Sequence, residues 1–440
     1  MTDLGTSAKR REVPAPSLPF EQFELRCGAR LVVSPRSGAP LTAFQVHLRG
    51  GLAEDPPEFA GLAYLTGALA PEGTQKHDDE QLADLLEPRG GSISGDSTGL
   101  SGVVATTGWK KLLELGAEIL TQPTYPKDRV DRRRAALLDR LAVEADEPRV
   151  QAARRFRRLI YGEHWIGRPE RGQLETVARI ERRHLRAHHR RLFTARRALI
   201  AVCGDIDPGD VRRLLDRRLT SWKPGARPTL APAEFPAGGH RVAAFRADRQ
   251  QVHLCLGHLG LRRKDPDFAA VCVLDHILGT GPGFTNRIAA RLRDAEGLAY
   301  SVHASQFDSA GLYPGMFSAY IATSPDKVDR ALVGFVQEIR RIRDELVTPA
   351  ELELAVDYLV GSHALGFERA GRRVTYLINR ERMELPADEL EQLPRRFAAV
   401  TREQVREAAH RHLRPEHLCL AGGGPIDERG LRRSLERALT

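Results

Sequence analysis

Cysteine is scarce in this 440-residue chain, with Cys27, Cys203, Cys255, Cys272 and Cys419 scattered singly. No C-x-x-C pair occurs and the number is odd, which excludes a disulfide scaffold and a cysteine-rich zinc module and points to a reducing compartment. Long apolar runs are missing as well. No stretch approaches the roughly 18 apolar residues a membrane-spanning helix needs, and Met1 to Phe20 carries Asp3, Lys9, Arg10, Arg11 and Glu12 where an export signal would be apolar. A soluble, cytoplasmic protein without a membrane span is expected. Lysine is nearly absent, supplying 8 of the 67 basic residues, so the +9 net charge is almost wholly arginine.

That charge is concentrated. Residues 131–200 hold 19 Arg against 9 acidic residues, which leaves the remainder close to neutral. Such a stretch can attract nucleic acid or an acidic partner. No nucleic-acid reading motif accompanies it, and the excess of Arg over Lys reads as compositional bias, so no nucleic-acid partner is expected.

With 41% hydrophobic residues the chain can fill more than one core. An internal repeat shows how many. Gln45-Val46-His47-Leu48 returns as Gln251-Val252-His253-Leu254, each inside an alternating, strand-like run, and the openings Asp55-Pro56 and Asp265-Pro266 follow. Each half then closes on a short apolar strand, Ala198 to Cys203 and Leu418 to Ala421, followed by glycine.

The Pro/Gly-dense stretch between them allows neither helix nor central strand. The resulting division is a flexible arm over 1–19, a first domain over 20–223, a linker over 224–239 and a second domain over 240–440. Strands are expected at Arg30 to Pro35, Gly102 to Thr106 and Tyr313 to Ile321. Helices are expected after Ser324-Pro325, with Val328, Leu332, Phe335, Ile339 and Ile342 on one face, and after the capping box Thr348-Pro349-Ala350-Glu351. Strands cluster around helical pairs instead of alternating with them, so the fold class is α+β: two homologous domains, each a mostly antiparallel sheet covered by helices.

Gly279-Thr280-Gly281-Pro282-Gly283 follows a helix and lacks the G-K-S/T ending of a phosphate loop, which removes that reading. His184, His188 and His189 have metal-like helical spacing, but arginines surround them and a solvated basic helix is expected; His410 and His412 read as surface residues.

Several segments together resemble the insulinase/pitrilysin family of zinc metallopeptidases, in particular its members similar to mitochondrial processing peptidase. They are Gly61-Leu62-Ala63, Glu72-Gly73-Thr74, Gly90-Gly91-Ser92-Ile93-Ser94, Tyr161-Gly162-Glu163-His164, Arg168-Pro169, Gly204-Asp205-Ile206, Thr348 to Leu352 and, above all, Leu292 to Val302. The resemblance implies a peptidase fold whose zinc motif, H-x-x-E-H, pairs two histidine ligands with a glutamate base. Here those positions are Tyr64, Gly67 and Ala68, and the family's distal glutamate falls near Asp139-Arg140. No metal is expected in this chain, and no catalysis by it alone.

Arg293 and Tyr300, in contrast, keep the spacing of the family's Arg/Tyr pair, which implies that they stabilise the transition state of peptide hydrolysis in trans. The competing reading is an exposed helical arginine and a tyrosine in a strand core. Gly279, Gly281 and Gly283 correspond to a glycine-rich segment that implies contact with substrate; a helix C-cap and turn explains them equally. The implied protein is the non-zinc, pseudoenzyme subunit of a heterodimeric metalloendopeptidase, enclosing a peptide chamber with a zinc-bearing H-x-x-E-H paralogue as partner. Two alternatives are a catalytically inert structural or assembly protein, like the core proteins of respiratory complexes, and a basic binding module.

Overall fold

The computed structural model describes residues 17–228, 233–282, 285–308 and 310–440. The chain forms two sheets. The first half contributes β1 (Glu21–Glu24), β2 (Arg30–Pro35), β3 (Leu41–Leu48), β4 (Ser92–Asp96), β5 (Gly99–Ala105) and β6 (Ala198–Gly204), in the order β1-β2-β6-β3-β5-β4. The second contributes β7 (Arg241–Arg246), β8 (Val252–Leu259), β9 (Val302–Asp308), β10 (Met316–Thr323) and β11 (Cys419–Gly424), in the order β7-β11-β8-β10-β9. Apart from the added edge strand β1 the two orders are the same. In each sheet one pair is parallel, β2 with β6 and β7 with β11, and the others are antiparallel. The central strands β6 and β11 are buried throughout, which is why both read as continuous apolar or small-residue runs.

The helices recur in the same order. The first half carries α1 (Leu62–Leu69), α2 (Asp79–Leu86), α3 (Trp109–Thr121), α4 (Lys127–Ala145), α5 (Pro148–Tyr161), α6 (Leu174–Ala178), α7 (Arg182–Leu192) and α8 (Pro208–Arg218). The second carries α9 (Phe268–Asp275), α10 (Val328–Asp344), α11 (Pro349–Gly366), α12 (Ala370–Met383), α13 (Glu389–Ala398), α14 (Arg402–His412) and α15 (Glu428–Leu439). Where α2 would recur stands a widened, π-type turn over Ala289–Ala295, and α9 runs into another over His276–Thr280. All five apolar residues expected on one face of α10 are buried, and Thr348 and Glu351 form the expected capping box of α11.

The repeated tetrapeptide sits in equivalent strands but out of register. Ala43 lies opposite Cys203 and His253 opposite Gly423, each partner directly preceding the terminal glycine of its strand. Val46 therefore corresponds to Leu256, four residues beyond its look-alike Val252. An even offset leaves the inward face unchanged, so the alternation was readable while the alignment was not.

Each half lends one helix to the other. Phe156, Ile160 and Tyr161 of α5 pack with Cys255, Met316, Tyr320, Cys419 and Ala421 of the second sheet. Val374, Leu377 and Ile378 of α12 pack with Val32, Ala43, Leu199, Ala201 and Cys203 of the first. Polar bonds fasten the second exchange: Glu381 accepts from Gln22 at 2.6 Å and from Arg30 at 2.9 Å, and Arg36 pairs with Glu368 at 2.7 Å. Leu18 joins the same cluster, so the described end of the expected arm is docked; residues 1–16 lie outside the described residues. In the expected linker, Phe235 rests edge-on against Tyr161 and His164, and Gly239 N–H donates to His417 at 3.0 Å.

Candidate functional site

Helix α1, which carries Tyr64, Gly67 and Ala68, is fixed at both ends. The Asp55 carboxylate accepts from the backbone N–H groups of Gly61 (3.1 Å) and Ala63 (2.9 Å), serving as the cap that Gly61 cannot supply. The buried Tyr125 hydroxyl donates to the Thr66 carbonyl at 3.2 Å. Between these anchors the helix touches the edge strand β4 through bare backbone. A Cβ on Gly67 would fall on the Asp96 carbonyl, and one on Gly95 would fall on the Gly67 carbonyl. The position that a catalytic glutamate would occupy therefore has no space for any side chain.

Tyr64 and Ala68 lie one turn apart, both half-buried. The Arg171 guanidinium sits 5.7 Å from the centre of the Tyr64 ring. Its Nη1 is 3.9 Å from Oε1 of Glu144, which also pairs with Arg140 (3.0 Å) and Arg154 (2.5 Å). The α4 carboxylate that reaches towards Tyr64, through Arg171, is thus Glu144. Asp139 and Arg140, the positions expected from the sequence, face solvent. The spacing of Leu137, Leu141 and Glu144 along the inward face of α4 carries that signal. Three guanidiniums already occupy this carboxylate, and Tyr64 and Ala68 offer no imidazole, so these residues do not fit a zinc ion.

The three clustered histidines of α7 serve three separate partners. His184 Nδ1 accepts from Glu181 N–H (3.0 Å), His188 Nε2 lies 3.3 Å from Asp55 Oδ1, and His189 Nε2 meets the Leu120 carbonyl (3.0 Å). Burial holds His189 down at about 4. The expectation of a wholly solvated helix face fails at His188 and His189, which are buried against neighbouring helices. His412 likewise is not a plain surface residue, since it bonds Asp267 at 2.8 Å. Asp265, Asp267 and His412 form the one group with metal-like spacing among the described residues, and Arg411 already binds both Asp267 oxygens.

Arg293 lies in the π-type turn before β9, where its neighbours divide the labour. Leu292 is fully buried, and Arg291 is tied inward to Glu296 (2.8 Å) and Glu338 (3.1 Å). Arg293 Nε meets Asp294 Oδ1 at 2.8 Å, and that bond raises the guanidinium above its ordinary value, with a further contribution from Tyr300 nearby. The segment reaching Tyr300 is pinned at Leu298, whose carbonyl accepts from Thr323 at 2.7 Å, while Tyr300 itself is 97% exposed. The strand-core reading of Tyr300 is therefore wrong.

Gly279 and Gly281 are both buried. Gly279 packs against the β9 backbone, where a Cβ would come 2.5 Å from the Ala304 carbonyl, and the Gly281 carbonyl accepts from Asn286 at 2.8 Å. Gly283 lies outside the described residues. Gly279 thus does for the π-type turn after α9 and for β9 what Gly67 does for α1 and β4.

Comparison with known proteins agrees with this architecture. Residues 31–163 match the insulinase (peptidase family M16) domain, and residues 179–359 match the peptidase M16 inactive domain. Together these cover well over half of the chain, which belongs to the insulinase-like M16 family. A protein of Streptomyces coelicolor described as an uncharacterized zinc protease is 26% identical over 87% of this chain and 84% of its own length. The crystal structure of a peptidase M16 inactive domain from Pseudomonas fluorescens is 25% identical, with a TM-score of 0.85 over 93% of this chain and 99% of that one. A chain of Candida albicans complex III shares the fold at 14% identity, with a TM-score of 0.75 over 95% of this chain and 99% of its own. Among the described residues no helix is long and apolar enough to cross a membrane.

Proposed function

We propose that this chain is the non-zinc subunit of a heterodimeric metalloendopeptidase, closing a peptide chamber and presenting Arg293 and Tyr300 to a zinc-bearing H-x-x-E-H partner. The observation that carries the reading is a contrast within one molecule. The motif helix is closed by backbone contact at Gly67, while Tyr300 stands almost fully in solvent next to a charged guanidinium. An exposed tyrosine contributes little to its own domain's core. Together with Arg293 it supplies two donors suited to the negative oxygen that develops as a peptide carbonyl is attacked.

The experiment is co-expression with a paralogue that carries an intact H-x-x-E-H motif, followed by size measurement and peptide cleavage by each subunit and by the mixture. The reading expects a stable heterodimer that cleaves and separate chains that do not. A second reading, an assembly protein of the same fold, draws on the likeness to complex III. It would take over if the two chains associate and the complex cleaves nothing.

A further inference from the structure

Helix α11 carries an apolar seam that stays exposed among the described residues. Leu354, Tyr358, Gly361 and Leu365 follow a four-three-four spacing, the pattern that places side chains on one helical face over about 16 Å. Leu354 is 49%, Tyr358 45% and Leu365 75% exposed, so half of the six large exposed hydrophobics among the described residues lie on this helix. Only Ala355 of its 18 residues is buried. The fold does not demand such a seam: α4, the matching helix of the first half, turns Arg132, Arg133, Asp139 and Arg140 outward.

The seam is also shaped. It borders a groove of about 550 Å³ whose lining includes Asp357 at one end, then Tyr358, Gly361 and Leu365, and Arg369 and Arg372 at the other. Tyr358 is held in place by stacking on His276, with ring centres 4.6 Å apart, and Gly361 has open space above it, as close approach of another backbone requires. At the C-terminal end of the seam Arg369 and Arg372 are exposed, and neither makes an ion pair among the described residues.

We infer that this groove docks an amphipathic helix of a partner protein, whose apolar stripe lies along Leu354, Tyr358 and Leu365 and whose acidic end meets Arg369 and Arg372. Two helices pair through apolar seams at this spacing, and an arginine pair discriminates by charge. The inference is independent of the peptidase reading, because it needs neither Arg293, Tyr300 nor a zinc-bearing subunit.

The test uses the full chain and a fluorescein-labelled 18-residue helical peptide with a leucine seam and two terminal glutamates, alongside the same peptide with lysines in their place. Fluorescence polarisation should show saturable binding of the acidic peptide, roughly tenfold tighter than the basic one. Leu365→Glu should abolish it, and Arg369→Glu with Arg372→Glu should reverse the preference; both alter exposed positions, and circular dichroism checks folding. The inference is overturned if neither peptide binds, if Leu365→Glu binds as the parent does, or if sedimentation shows that a second copy of this chain fills the seam.

Discussion

Gly67 and Gly95 meet backbone to backbone, the helix that would carry a zinc motif lying directly on the edge strand of its own sheet. Loss of the motif is therefore more than an exchange of ligands. Glycine lets the helix settle into the volume that an active-site glutamate would require, and Tyr125 and Asp55 hold it there.

Rebuilding the motif should consequently fail. Tyr64→His, Gly67→Glu and Ala68→His together are expected to bind no stoichiometric zinc, and Gly67→Glu alone should destabilise the fold by about 3 kcal/mol or more, because backbone cannot yield as a side chain can. Metal analysis and thermal unfolding check both. One tightly held zinc in the triple variant would show that α1 can withdraw from β4.

The exchanged helices should make the halves unfold as one. Leu377 is fully buried among residues of the first sheet, so Leu377→Ala should cost about 2–5 kcal/mol while the transition stays single. The second half expressed alone should aggregate, since Val374, Leu377 and Ile378 would lose the surface they cover. Two separate calorimetric transitions in the intact chain would contradict this.

Asp275 provides a pH signature. Its carboxyl is buried and pushed up to about 7 by desolvation, against accepted bonds from Gln306 N–H (2.7 Å) and Thr280 (3.3 Å). The folded state holds this proton more tightly than the unfolded chain, so the contribution to stability is complete below about pH 4. It fades as pH rises towards 7, by at most about 4 kcal/mol. Asp275→Asn should flatten stability across that window, measured as the urea midpoint at pH 4 to 8. An unchanged slope would remove the assignment.

Much of this is legible in the sequence. The duplication, the capping box at Thr348 and the buried face of α10 rest on local periodicity and turn chemistry, which sequence states directly. The exchange of α5 and α12 is not. An apolar face shows that a helix is covered, but nothing in Phe156 or Leu377 says by which sheet. The Gly67–Gly95 contact was hidden for a related reason, because glycine leaves no pattern and the approach joins strands and helices distant in the chain. His188 and His189 misled because neighbouring arginines suggested solvent, whereas a helix can bury one face and charge the other.

The central claim rests on turnover of the assembled complex. With the zinc-bearing partner held constant, Arg293→Ala and Tyr300→Phe in this chain should each lower kcat by about 10²- to 10³-fold, with Arg293→Ala the larger. The partner's zinc content and the heterodimer mass should stay unchanged. Wild-type turnover from both variants in an active complex would contradict the account and leave this chain a structural member of its family.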